Sequence, residues 1–246
     1  MSGILGLVLV LLAAGLLLGL IFIRRKSKPV FREIPAYTNL KRAIGISVED
    51  GTRLHVALGR GELQTPRGAP ALAGLAMLRH LAEQTSVSDK PPVVTSGSGD
   101  LAILSRDTLQ AGYKAAGAEE LYNPTTGRLT GLTPYSYVAG AIPAIRDENV
   151  SANVIIGHFG PEVALLTDAA DRSNSLAVAA ADDPTAQAVL YASVDDPLVG
   201  EELFAAGAYT NAGPAHQASL QVQDVLRWAI ILILLGGSAL KLVGII

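Results

Sequence analysis

The hydrophobic pattern divides the chain into three parts. Ile4 to Ile23 contains no polar side chain over twenty residues, and Trp228 to Ile246 is apolar except for Ser238 and Lys241. Between them, apolar positions recur with helix or strand spacing and are punctuated by glycine, proline and aspartate. Twenty helical residues at about 1.5 Å each cover the roughly 30 Å hydrocarbon core of a bilayer. The pattern therefore predicts a first transmembrane helix over 1–23, a basic juxtamembrane linker over 24–40, a folded domain over 41–226 and a second transmembrane helix over 227–246.

Charge sets the expected orientation. Arg24, Arg25, Lys26 and Lys28 follow the first apolar run, whereas only Met1, Ser2 and Gly3 precede it. A signal peptide has the reverse order, and basic residues beside a span stay on the cytoplasmic side. Arg227 and Trp228 supply a matching cation and indole at the start of the second run. The expectation is a two-pass protein of a bacterial inner membrane, with both termini outside and the central domain cytoplasmic. Lys241 lies five positions from the end, close enough to snorkel outward. Gly15 and Gly19 form a GxxxG, and Gly236 and Gly237 begin a second small-residue patch. Small residues let membrane helices approach closely, so these four are candidate packing positions.

In the domain, Ala43–Val48 and Arg53–Leu58 flank Glu49-Asp50-Gly51, which predicts a β-hairpin. Pro70 opens a helix to about Gln84, with Ala71, Leu75, Leu78 and Ala82 on one face. Val93–Thr95 reads as a strand and Leu101–Ala118 as a helix; 119–135 reads as loop, and Tyr137–Ile145 fits either strand or helix. Ala152–Ile156 and Ser175–Ala180 are predicted strands, with a helix from Pro161 to about Ala170 between them. Asp182-Asp183-Pro184 and Asp195-Asp196-Pro197 each place a capping aspartate before a proline and predict helices to about Ala192 and Ala206. Gln217–Arg227 is predicted to run as helix into the second span. The fold class expected is layered α/β, with a largely parallel sheet and an N-terminal antiparallel hairpin.

Composition narrows the chemistry. Half the residues are apolar, yet aromatics are only 5% and charged residues 17%, below the roughly 25% usual in soluble domains. The net charge of -3 gives no field that would draw nucleic acid. Without cysteine there is no disulfide, thiolate metal site or cysteine nucleophile. None of His55, His80, His158 and His216 pairs with another at metal-ligand spacing, so neither a metal nor a cofactor is expected.

Two glycine turns follow predicted strands: Ser96-Gly97-Ser98-Gly99, and Gly157-His158-Phe159-Gly160. Ligands of open α/β sheets bind just past the strand C-termini, and helix N-terminal amides there can hold an anion. Ser96, Gly97, Ser98, Gly99, Gly157, His158 and Gly160 are the candidate ligand-binding residues. The Walker lysine, a full GxGxxG and the GxSxG nucleophile elbow are all absent, so no catalytic residue can be named.

The segments VAGAIPAIRDENVSANVIIGHFGPE and LYASVDDPLVGEELFAAGAY, with Gln223 to Trp228 leading into the last helix, resemble a bacterial family known only as a domain of unknown function. We associate that family with green non-sulfur bacteria. The resemblance runs from Val138 to Trp228 and extends back through VVTSGSGDLAILSRDTLQAGY. It implies a membrane protein with an α/β domain and supplies no reaction. The first functional expectation is a structural protein that self-associates into a homo-oligomeric ring or array, with the bilayer and itself as partners. The alternative is a membrane-tethered sensor or binding module for a nucleotide or other anionic small molecule.

Overall fold

The structure, a computed structural model, describes residues 2–24, 31–210 and 213–242. It separates into two compact units, one built from the two chain ends and one spanning Arg32–Ala212.

The central unit holds helix α2 (Pro35–Glu49), strand β1 (Arg53–Gly59), α3 (Ala69–Thr85), β2 (Val93–Ser96), α4 (Gly99–Ala115) and β3 (Gly127–Leu129). It continues with α5 (Pro134–Asp147), β4 (Val150–His158), α6 (Val163–Arg172), β5 (Leu176–Ala181), α7 (Pro184–Ser193) and the short α8 (Ala206–Tyr209). All five strands are parallel, in the order β3-β2-β1-β4-β5. Such a sheet must be covered on both faces. Leu54, Val56 and Leu58 of β1 and Val154 and Ile156 of β4 pack with α2, α3 and α4 on one face. Ala57, Ile155 and Ala179 face α5, α6 and α7 on the other.

The expected N-terminal hairpin is not present. Its first arm, Ala43–Val48, belongs to α2, whose buried face is Ala36, Tyr37, Leu40, Ala43, Ile44 and Ser47. Those spacings are helical, and Pro35 sits at the first turn where a missing N–H costs nothing. Gly51 takes a left-handed φ of 61°, turning the chain from α2 into β1, which pairs in parallel with β2 and β4. The helix expected after Asp195-Asp196-Pro197 is also absent. Asp183 caps α7 by accepting from the Thr185 and Ala186 amides, whereas Asp196 accepts from the Asn39 side chain. Leu198 then bridges Ala180 at the sheet edge, and a 3₁₀ stretch follows at Gly200–Ala205.

The first and last parts of this unit are clamped together. The Tyr37 and Tyr209 rings stack with centroids 4.9 Å apart. The Tyr209 hydroxyl donates to the Arg32 carbonyl and the Tyr37 hydroxyl to the Glu202 carbonyl, each at 2.7 Å, and Arg32 pairs with Glu202. The chain therefore enters and leaves the unit at one place.

The other unit contains α1 (Ser2–Arg24) and α9 (Pro214–Leu242), packed against each other. Among the described residues one helix, Pro214–Leu242, is long and apolar enough to cross a membrane, with side chains such as Ile233 and Leu235 exposed. Of the two spans expected, only this one is a candidate by length and composition; the apolar stretch Gly6–Phe22 of α1 is shorter. Arg25, Lys26 and Lys28 lie outside the described residues.

One buried chain of hydrogen bonds crosses the sheet on the α5–α6 face. Burial keeps His55 neutral, pushing its imidazole down to about 4. Its Nδ1–H donates to Asn153 Oδ1 at 3.0 Å, and Nε2 accepts from the Thr95 hydroxyl at 2.9 Å. The Tyr137 hydroxyl donates to Thr95 at 3.2 Å. Asn153 Nδ2 donates to Ser175 at 2.8 Å, and Ser175 to the Ala170 carbonyl at 3.0 Å. Every donor points one way, from α5 to α6, so the buried polar groups are satisfied in series.

This arrangement ties stability to pH. Between the ordinary value of 6.5 and about 4, the unfolded chain takes up a proton that native His55 refuses. Stability is fully present above pH 6.5 and falls as pH drops towards 4, by on the order of 3 kcal/mol in all. Thermal unfolding of the domain between pH 7 and 5 should show this loss. The His55→Leu protein should be less stable at neutral pH but flatter across that range; an unchanged slope would contradict the assignment.

Candidate functional site

The strand order reverses beside β1. The chain steps outward from β1 to β2 and β3, then crosses back to place β4 on the other side of β1. Loops leaving β1 and β4 therefore diverge, opening the crevice at which doubly wound sheets take ligands.

Glycines bring the backbones together there. A Cβ on Gly157 would lie 2.1 Å from the Leu58 carbonyl oxygen. Gly59 has φ +67°, and a Cβ on it would lie 2.5 Å from the His158 carbonyl oxygen. The Arg60 amide donates to that same oxygen at 3.2 Å, and the Gly97 amide donates to the Gly59 carbonyl at 2.8 Å. A Cβ on Gly97 would meet Arg60 Cγ at 2.2 Å, so the Arg60 stem lies across this glycine. Its Nε is buried, and its guanidinium has no hydrogen-bond partner among the described residues.

His158, at the end of β4, has Nδ1 2.8 and 3.1 Å from the two carboxylate oxygens of Asp182, just past β5. Both side chains are partly exposed. A carboxylate on one ring nitrogen orients the imidazole and leaves the other nitrogen for a second partner; Nε2 has none among the described residues.

Several amides around the two turns are already engaged. At the start of α4, Asp100 accepts from the Leu63 amide at 3.0 Å and from its neighbour Leu101 at 2.9 Å. Burial pushes the Asp100 carboxyl up, but the nearby Ser98 hydroxyl and the Leu63 and Leu101 amides outweigh it and hold the carboxyl below its usual value. Buried Glu162 accepts from the Gly160 amide at 3.0 Å. Asp183 is likewise held low, by the Thr185 hydroxyl and amide first. Ser96 is buried and donates to the Arg128 carbonyl at 3.2 Å, while Gly99 opens α4 with free space at its Cα. Of the rim's polar groups, the Arg60 and His158 side chains and the buried Ser98 hydroxyl each have a polar atom with no hydrogen-bond partner among the described residues.

Arg60 carries no motif of its own in the sequence, and Asp182 stands out there only as part of the Asp182-Asp183-Pro184 capping signal. The available signal was Gly59-Arg60-Gly61 directly after a predicted strand. Among the described residues no group of three or more histidines and carboxylates is placed to hold a metal ion.

In the helical unit, Gly15, Gly19, Gly236 and Gly237 all have open space where a Cβ would stand, so the α1–α9 contact does not run through them. Trp228 is exposed, Arg227 lies 3.4 Å from Asp224, and Arg24 ends α1.

A family profile, described as a domain of unknown function and designated DUF6754, matches residues 2–246. The chain belongs to this family. The DUF6754 match covers both terminal helices as well as the α/β unit, a longer span than the Val138–Trp228 resemblance. No curated protein and no solved structure matches the chain.

Proposed function

We propose that this DUF6754 protein is a membrane-tethered binding module that holds an anionic small molecule, such as a nucleotide or phosphorylated metabolite, at the C-terminal rim of its sheet. One observation carries this reading: the reversal of strand order beside β1 coincides with a buried-stem arginine, Arg60, and an oriented histidine, His158, each with donor capacity unused among the described residues. Arg is a fork of donors suited to phosphate or carboxylate. His158 held by Asp182 offers a second contact. Asp100 and Glu162 hold the Leu63, Leu101 and Gly160 amides, which leaves Arg60 and His158 as the charged or ionisable donors at this rim.

The test is calorimetry of the full chain in detergent with inorganic phosphate, pyrophosphate and a nucleoside diphosphate. At least one should bind. Arg60→Ala should weaken that binding at least tenfold and His158→Ala several-fold, with unfolding temperatures little changed. Binding that ignores both substitutions, or no binding by any of the three, counts against the reading.

The tether is read as two-pass. α9 has the length and hydropathy of a span, α1 packs along it, and the central unit begins and ends at one clamped point. The cationic cluster from Arg24 to Lys28 would hold the domain in the cytoplasm. Because the chain lacks cysteine, single introduced thiols report sidedness cleanly. In intact cells an impermeant maleimide should label Ser2→Cys but reach Gln64→Cys only after permeabilisation. The reverse pattern overturns the orientation.

Self-association is the second reading, favoured by the open small-residue faces at Gly15/Gly19 and Gly236/Gly237. Mass measurement in nanodiscs should give more than one chain per particle, falling to one in Gly19→Leu; single chains throughout would remove it.

A further inference from the structure

Gly45 lies in the interior of α2, where glycine favours the helix less than alanine does. The fold does not require it there. Its φ is not left-handed, and a Cβ would meet nothing within 4 Å. Other glycines are forced by close backbone contact, as at Gly157 against Leu58, but Gly45 only keeps space open. That space is a groove of about 560 Å³ between α2 and α3, floored by Ile44, Gly45 and Val48 and edged by Lys41, His80 and Thr210. Its volume is that of a ligand site.

Three features identify the occupant. First, Lys41, Ile44, Gly45 and Val48 follow one helical stripe, with the cation at one end and apolar surface beyond it. From Lys41 to Val48 the helix rises roughly 10 Å, about the reach of eight methylenes. Second, α2 carries Lys41 and Arg42 and no acidic residue before Glu49, which closes the far end of the groove. Third, Thr210 on the groove's edge is four positions before Pro214 in the sequence, where the membrane-length helix α9 starts. A membrane amphiphile matches all three.

We propose that the α2–α3 groove takes an anionic phospholipid, its phosphate on Lys41 and one acyl chain along Ile44, Gly45 and Val48. The site is separate from the rim bearing Arg60 and His158, and it rests only on the membrane-tether part of the proposed function. Bound lipid would make the domain's attachment sensitive to anionic lipid content.

The experiment uses the full chain in nanodiscs of phosphatidylcholine doped with a diazirine-tailed phosphatidylglycerol. Photolabelled peptides are mapped with the wild type, Gly45→Leu and Lys41→Glu. Labelling is expected on residues 41–48 and 80–84 as well as on the terminal helices. Gly45→Leu, which fills open space and favours helix, should unfold no earlier than wild type yet lose groove labelling at least fivefold. Lys41→Glu should lose it with phosphatidylglycerol, and a diazirine-tailed phosphatidylcholine should label the wild-type groove only weakly. Labels confined to the terminal helices overturn the groove assignment while leaving the anchor intact; protein–protein crosslinks at 41–48 in place of lipid also overturn it. A chain that fails to enter nanodiscs sinks the tether and the groove proposal together, without touching the calorimetric test of the rim.

Discussion

Strand β1 can be flanked by β2 and β4 only because the backbones at its C-terminal end come closer than any side chain would permit. Leu58 and Gly59 on one side and Gly157 and His158 on the other occupy the space a Cβ would need. This contact closes the centre of the sheet and places the switch in strand order where it is. It also presents Arg60 and His158 on the rim, since the Arg60 amide is bonded to the His158 carbonyl. A little deeper, on the opposite side of the same strands, the chain from Tyr137 through Thr95, His55 and Asn153 to Ser175 joins α5 to α6 through three adjacent strands.

The other end of the sheet is organised by charge. Glu148 at the end of α5 pairs with Arg53 of β1 and Arg128 of β3. Burial raises the Glu148 carboxyl, but Arg128 and then Arg53 outweigh it and keep it ionised. Apolar layers thus pack both faces of the sheet and an ion triad closes one end, while Arg60 and His158 keep donor capacity at the opposite rim. Such a separation of rigid scaffold from open rim is what a binding module requires.

Much of the fold was legible because β4, β5, α3 and α4 carry clean periodicities bounded by glycine and proline. The errors have physical causes. Ala43–Val48 is rich in β-branched residues and precedes Asp-Gly, but its helical face begins at Ala36, outside so short a window. β3 has three residues and takes its place only by pairing with β2. The two Asp-Asp-Pro signals look alike in sequence, yet one carboxylate caps its helix and the other bonds Asn39, more than 150 residues away in the chain. The candidate site was half legible. Gly157 and His158 stood out after a strand, but nothing local links His158 to Asp182, or Arg60 to Gly97, until the sheet is assembled.

Hydrogen–deuterium exchange of the full chain in nanodiscs, with and without pyrophosphate, reaches the central claim most directly. The account predicts slowed exchange in 59–63, 97–101 and 157–160, with the β1 and β4 interiors unchanged. Protection centred on the Glu148 edge, or on the helices with none at the rim, would contradict it.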